Sequence, residues 1–397
     1  MKDLLEHCIT ACNNSKISFC KFISANDAGA TGAHQSGLYI PQSAYNILFN
    51  EKGIKGQNKD KTVIILWQND FETESRFIYY GQGTRNEYRI TRFGKGFPYL
   101  KDEFVGSLFV ICKIEEDFYN AYILESDEDI EDFLSAYSMT ANETNQIIPT
   151  TNKISPDKPL QLNINELFNT YAANLKIDFP STEEISKVSR EIYYKINNIE
   201  RNHYNNATIN PDTELLHWLK YEFDLFKTIE NSRYLSIIDQ KIQSVDDLIQ
   251  IANTILNRRK SRAGKSLENH LKEIFTLNNL KFDHQPYSED KKKPDFLFPG
   301  QKYYFDENFI NKNVFLAAKT TCKDRWRQIL NEADRIKVKH LFTLQQGISS
   351  FQLKEMYDNN VILVIPSEYL NYFPKSYKDK LLTLKGFIQF VNEKCQF

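Results

Sequence analysis

Two acids and a lysine, spread over a short stretch near the C-terminus, carry the strongest chemical signal in this sequence. Asp295 stands directly before a short apolar segment, Phe296 to Phe298, and Lys319 ends a continuously apolar one that begins at Val314. Unbroken apolar runs of this length suit central strands covered on both faces. From Trp326 the period changes: Trp326, Ile329, Leu330 and Ala333 are spaced as one stripe of a helix. Glu332 lies on the flank of that stripe, within reach past the sheet. Two carboxylates and an ammonium in one pocket would hold a divalent metal and activate water for phosphodiester cleavage. Glu268, upstream, is a candidate extra carboxylate beside that metal; taken alone it reads equally as a surface glutamate.

Residues suited to DNA surround this centre. Arg258 to Lys265, RRKSRAGK, supplies Arg258, Arg259, Arg262 and Lys265 just before the expected helix SLENHLKEIF. Its cations and that helix N-terminus both favour a phosphate, although a lone basic run is commonly a solvated linker. Lys323, Asp324 and Arg325 follow Lys319 closely. Lys and Arg suit guanine O6 and N7, and Asp accepts from the cytosine amino group, so the triad has the chemistry to read G·C pairs. Ala317 shares a strand face with Lys319. In the common pattern PD…(D/E)xK that place carries the second metal-binding acid, so an acid from the following helix, Glu332, has to restore the charge count.

The elements that position these groups can be read in outline. A chain of 397 residues exceeds one ordinary core, and two domains are expected. The division read here is 1–145, a linker at 146–165, and 166–397. The first part is mostly short strands separated by Gly, Asn and Asp turns: KFISA, GLYIPQ, TVIILWQN, RFIYYGQG, NEYRITRF, GSLFVICKI and FYNAYIL. That pattern suggests a β-sandwich or barrel. An acidic run, Glu125 to Asp132, leads into the linker. Beyond it come helical patterns near 182–200, 212–230, 244–258 and 264–277. Two central strands, the HLFTL strand, a helix near 350–357, the VILVIP strand and a closing helix from about 377 follow. Helices flanking a few buried strands make an α/β domain.

Two stretches of the first part stand out. SANDAGATGAHQSGLYIP offers glycines for close backbone approach and Asn26, Asp27, His34 and Gln35 as hydrogen-bonding edges. GTRNEYRITRFGKG offers Arg85, Asn86, Glu87, Arg89, Arg92 and Lys95, which match the guanine, adenine and cytosine edges. A solvated, turn-rich rim would use the same residues. The net charge of −2 gives no global pull toward nucleic acid, so binding must come from such local clusters. No apolar run of membrane-spanning length appears. The N-terminus lacks a signal-peptide build, and the scattered cysteines show neither zinc spacing nor a disulfide frame. A reducing cytoplasm fits this usage.

Along nearly its whole length the chain resembles the EcoRII-like family of type IIE restriction endonucleases. The resemblance is carried by SANDAGATGAHQSGLYIP, TRNEYRITRFGKG, NRRKSRAGKSLE, KKPDFLFP, KTTCKDRWRQILNEAD and HLFTLQ. It implies a multidomain protein with an N-terminal B3-like β-pseudobarrel, which binds an effector copy of the recognition site and restrains cleavage until it does so. It implies a C-terminal PD-(D/E)xK domain, an α/β restriction-endonuclease-like fold with a mixed central sheet, that forms a homodimer and cuts double-stranded DNA at 5'-CCWGG with Mg2+. By motif match Asp295 and Lys319 take the catalytic acid and lysine places, Glu332 the helix-borne metal-binding acid and Glu268 the upstream glutamate. Tyr304 (or Tyr303) matches an active-site tyrosine, and Lys323, Asp324 and Arg325 match the base-reading triad. His34, Tyr39, Arg85, Glu87 and Arg89 match DNA-contacting places of the effector domain. A companion cytosine methyltransferase acting on the same site is implied as well.

This chain departs from the family at Tyr88, where the family enzyme carries a lysine. It also lacks an arginine-rich run around His217-Trp218-Leu219-Lys220, so Trp218 could stack on an extruded base or belong to a helix core. Two rival readings share these residues: a DNA-binding regulator with an inert nuclease fold, and a structure-selective repair nuclease. The complete Asp295, Lys319 and Glu332 set argues against the first. The Lys323–Arg325 triad and the specialised N-terminal part argue against the second.

Overall fold

A computed structural model describes residues 2–29, 37–149, 159–197, 203–238, 242 and 244–395. In the N-terminal part, α1 (Lys2–Asn14) precedes β1 (Ile17–Phe22), β2 (Leu38–Ile40), β3 (Lys59–Trp67), β4 (Phe71–Tyr80), β5 (Glu87–Thr91), β6 (Leu108–Lys113) and β7 (Phe118–Leu124). Helix α2 (Asp127–Ala136) and β8 (Gln146–Ile147) complete it. Six of the seven strands expected from the pattern form close to where the sequence puts them; the first, KFISA, is shifted, with β1 ending at Phe22. The strands make one sheet in the order β2-β5-β4-β3-β7-β6-β1-β8, with β2 and β8 at its ends. Trp67, Phe77, Phe109 and Tyr119 fill one face. Cys20, Val110 and Tyr122 fill the other beneath α1 and α2, which is why β6 is buried along its whole length.

The C-terminal part begins with α3 (Pro159–Asn174), α4 (Thr182–Ile196), α5 (His203–Ile209), α6 (Pro211–Ile238) and α7 (Val245–Leu277). Then come β9 (Asp283–His284), β10 (Phe296–Phe298), α8 (Gln301–Tyr304), β11 (Val314–Lys319), β12 (Lys339–Thr343), α9 (Ser350–Asp358), β13 (Val361–Ile365), β14 (Leu382–Thr383) and α10 (Leu384–Lys394). The sheet order is β14-β13-β12-β11-β10-β9. Strands β11 to β14 run parallel while β9 and β10 are antiparallel, so the central sheet is mixed, as expected. Leu267, Leu271 and Phe275 of α7 and Phe387 of α10 cover β10 and β11, and this core is continuous with the α1–α2 face of the N-terminal sheet.

The structure corrects several expected elements. The helices placed at 244–258 and 264–277 are one helix of 33 residues, α7. Arg258, Arg259 and Arg262 therefore sit mid-helix, with no helix N-terminus beside them to bind a phosphate. Long straight-chain cations are good helix formers, and tertiary partners absorb their charge. Arg262 is buried against Glu222 at 3.1 Å, with Phe223 and Phe226 under its guanidinium. Arg259 pairs with Glu230 at 2.5 Å, and Arg258 lies over Phe179. Lys265 is exposed. Beyond Lys323 the expected α-helix is a 3-10 helix, Arg325–Asn331, and Glu332 is extended at its end. Lys339 explains that stop, since its ammonium binds the carbonyls of Glu332 and Ala333 and turns the chain into β12. Helix α3 occupies residues read as the end of the linker, and β8 pairs with β1 inside its start. Linker residues 150–158 lie outside those described, as do residues 198–200 at the end of the helix read at 182–200. The closing α-helix starts at Leu384 rather than about 377, after a 3-10 turn and β14.

Candidate active site

Strand pairing brings the acid and the lysine together. Asp295 precedes β10, which runs antiparallel to β11, and its Oδ2 accepts the Ala318 N–H at 2.8 Å, one residue before Lys319. Burial pushes the Asp295 carboxyl above its usual value; the charge of Lys319 lowers it and that of Glu268 raises it. Glu332 is half-buried. Burial first, and the nearby Asp295 charge second, push it up to about 7. Asp295, Lys319 and Glu332 thus share one electrostatic environment, with Glu268 on its other flank. Ala317 is buried and contributes no charge.

Tyr304 is placed differently from an active-site group. Its ring is buried, its hydroxyl donates to Glu289 at 2.7 Å, and it accepts the Arg335 N–H at 3.2 Å. It thereby fixes the turn just past Glu332. Trp218 is fully buried between Tyr194 and His270, with Arg190 over its ring, and is a core residue of α6.

The donor set suits a divalent cation. Asp295 and Glu332 are half-buried, and the Asp295 charge raises the Glu332 carboxyl as the Glu268 charge raises that of Asp295, an excess of negative charge that a cation relieves. Among the described residues no three His, Cys, Asp or Glu side chains form a ready cage. Mg2+ asks for less, since it commonly uses one or two carboxylates and completes its shell with waters and substrate phosphate oxygens.

The sequence did not single out His284 and Gln285. His284 Nε2 lies 2.8 Å from Glu268 Oε2, and Gln285 Nε2 donates to the same oxygen at 2.9 Å. Gln285 N–H also donates to the Asp295 carbonyl at 2.9 Å. Only a strand-edge position beside β10 could have flagged them.

The base-reading candidates are engaged by the chain's own N-terminal part. The Asp127 carboxylate, at the start of α2, accepts the backbone N–H groups of Lys323, Asp324 and Arg325 at 3.2, 2.7 and 3.1 Å. Asp324 Oδ2 accepts the Asp127 N–H in return at 3.0 Å. Lys323 is buried and donates to Ser107 Oγ at 2.6 Å, and burial lowers its pKa. Arg325 donates to Glu131 at 2.6 Å, an acid that Thr320 and Thr321 also reach. Burial pushes Asp127 above its usual value while the N–H groups of Asp324 and Arg325 hold it back. A cavity of about 240 Å3 remains between α2, α7 and the tip of β11, bordered by Glu131, Arg259, Glu268 and Lys319. Close backbone approach completes the contact: a Cβ on Gly106 would meet the Gly347 carbonyl at 2.4 Å, and Asp102 accepts the Ser350 N–H at the start of α9.

The N-terminal candidates divide into two groups. Tyr39, Glu87 and Arg89 line a cleft of about 290 Å3 with Lys21, and Gln346, Asn371 and Tyr372 of the C-terminal part close its other side. Arg85, Asn86 and Lys95 stand exposed on the rim. His34 and Gln35 lie outside the described residues. Asp27 is buried in a pair with Lys21 at 2.7 Å and is structural. Tyr88 points away from Glu87 and Arg89, into the sheet core, where its hydroxyl accepts the Gly53 N–H at 2.7 Å. The departure from a lysine there therefore acts on packing.

Comparison with known proteins gives two family matches: restriction endonuclease EcoRII, N-terminal, over residues 12–145, and EcoRII C terminal over residues 226–388. The type II restriction enzyme EcoRII of Escherichia coli is 36% identical over 400 residues, covering 95% of this chain and 94% of that protein. The type II restriction enzyme SsoII of Shigella sonnei is 24% identical over 185 residues, covering 44% of this chain and 60% of its own length. Among solved structures, metal-depleted Ecl18kI in complex with uncleaved, modified DNA matches with a TM-score of 0.47 at 20% identity, over 58% of this chain and 84% of that one.

Proposed function

Because the chain belongs to the EcoRII family and is a type II site-specific deoxyribonuclease, we propose that it cuts double-stranded DNA at a CCWGG-like site with Mg2+. We propose further that its N-terminal sheet, a B3-like effector domain over residues 1–145, binds a second copy of that site and so activates cutting by the domain at 166–397. The observation that carries the catalytic reading is the pair of Asp295 and Glu332 beside Lys319, two acids raised by burial, Glu332 further by the Asp295 charge and Asp295 further by that of Glu268. Asp295 and Glu332 would hold the metal. When bound, Mg2+ supplies charge neutralisation at the phosphate and a lowered pKa for a water.

The chain's own residues do the rest. The Ala318 N–H fixes one oxygen of Asp295 and leaves the other to face the substrate. Lys319, at the strand tip, presents a positive charge to the scissile phosphate and stabilises the extra negative charge of the pentavalent state. Glu268 stands beside Asp295, and Tyr304 keeps the turn after Glu332 in place. Lys323, Asp324 and Arg325 read the flanking G·C pairs, while the exposed Lys265 of α7 attracts the DNA backbone. In the effector domain Tyr39, Arg85, Asn86, Glu87, Arg89, Lys95 and His34 contact DNA.

Restraint is supported by the grip of Asp127, Ser107 and Glu131 on the triad, since base-reading groups so engaged are not available to DNA. A homodimer is supported by the arm where α6 leads into α7: Leu235, Ile242, Val245, Leu248 and Ile249 are 40–71% exposed there, more apolar surface than a monomer usually leaves uncovered. A companion cytosine methyltransferase would shield host copies of the site.

Incubation with Mg2+ and plasmids carrying one or several CCWGG sites tests the reading. Fixed fragments ending at those sites are expected, with one-site plasmid cut only after a short duplex bearing the site is added. Random nicks, or no cutting under either condition, would sink it.

A further inference from the structure

We propose that His284 is a positioning residue of the cutting centre, which, together with Gln285, fixes the carboxylate of Glu268 beside Asp295. The inference rests on the catalytic reading above. Glu268 borders two spaces at once. On one side is the cavity it shares with Lys319. On the other is a cleft of about 580 Å3 lined by Lys265, Asn269, His284 and Gln285. Both donors from the β9 side, His284 Nε2 at 2.8 Å and Gln285 Nε2 at 2.9 Å, meet the same oxygen, Oε2. An acid with one oxygen held by two donors on one side has a fixed orientation for the other.

The clamp is itself rigid. His284 pairs with Phe296 across β9 and β10, and its ring lies over that of Phe296 at 5.1 Å. Gln285 ties its main chain to the Asp295 carbonyl at 2.9 Å. One dipeptide therefore holds the main chain of one acid and the side chain of the next. A plain edge-strand staple would need the backbone bonds; it would not need both side chains to converge on a third residue's carboxylate.

The test uses the full-length protein with duplex DNA bearing the site. H284A, H284Q, E268Q and the double variant H284A/E268Q are compared by Mn2+ binding to the DNA complex in calorimetry, and by cleavage rate against Mg2+ concentration. H284A is expected to weaken Mn2+ binding and raise the half-saturating Mg2+ about 10- to 100-fold, as losses of a ligand's supporting partner do. H284Q, whose amide reaches Glu268, recovers most of this, and H284A adds nothing once E268Q is present. Parent-like Mn2+ binding in H284A, or losses that add in the double variant, overturns the proposal. Should H284A fail to fold, H284N replaces it: its amide falls short of Glu268, so equal Mn2+ binding by H284N and H284Q also overturns it. D295A in the same assays keeps the two questions apart, since a D295A protein that cuts normally removes the catalytic reading itself.

Discussion

Two neighbouring regions of the C-terminal part are treated in opposite ways. At the acid–lysine centre, Asp295 and Glu332 are half-buried with less positive charge than they need, and both are held above the ordinary carboxylate range. A few residues on, Lys323, Asp324 and Arg325 each have a hydrogen-bond partner from the N-terminal part. The first region is assembled but short of positive charge; the second is hydrogen-bonded and covered. On the proposed reading, the chain keeps its chemistry ready and withholds its recognition. Holding the two acids together costs folding energy that a cation or a proton returns, whereas on that reading the cover over the triad reverses when DNA competes for it.

The sharpest way to break this comparison is to remove the chemistry alone. Asp295→Ala and Lys319→Ala should each lower plasmid cleavage by at least about a hundredfold, while gel-shift binding of the site survives. Near-parental cutting by either variant would take that residue out of the centre.

Next in size is the cover. The Asp127 carboxylate accepts three backbone N–H groups, and a charged hydrogen bond contributes about 1.5–3 kcal/mol. Asp127→Asn keeps the size and removes the charge. Cutting of DNA with a single site should rise about 10- to 100-fold, and the gain from added effector duplex should shrink to match. Single-site cutting unchanged from the parent would mean that α2 does not restrain the triad. A third experiment sharpens the recognition side. Lys323→Ala should reduce the preference for the cognate site over one altered at a G·C pair, by about 1–3 kcal/mol, measured as a ratio of cleavage rates. That ratio is insensitive to release of the cover, which speeds both substrates alike.

The sequence disclosed these regions unevenly. Strands β10 and β11 were legible because both are short, apolar and buried on both faces, so Asp295 and Lys319 could be placed at their ends. Glu332 was found from a helical stripe, yet the same spacing of Trp326 and Ile329 fits a 3-10 turn, and the Lys339 contacts that decide between them are not local. Arg258 to Lys265 read as a phosphate-binding cluster at a helix start because Glu222, Glu230 and Phe179, which absorb its arginines, are far away in sequence. The acidic run Glu125 to Asp132 was visible, and so was the basic triad, but nothing local says that Asp127 caps the loop at Lys323. His284 stayed hidden for the same reason: its role lies in a distance to Glu268 across the end of a sheet.

The smallest effect concerns stability and probes the under-compensated pair directly. Glu332 titrates at about 7 in the folded chain, against about 4.3 for an unfolded glutamate. Between those values the folded state binds more protons than the unfolded one, so the parent loses stability as pH rises through that window. Partial exposure screens the effect, leaving on the order of 1 kcal/mol. In metal-free buffer Glu332→Gln should therefore melt higher than the parent at about pH 8, and the gap should close by about pH 5, where the parent glutamate is already largely neutral in the fold. Melting curves for parent and Glu332→Gln that stay parallel across the window would place Glu332 in ordinary solvent, away from Asp295, and the contrast between the two regions would lose its first half.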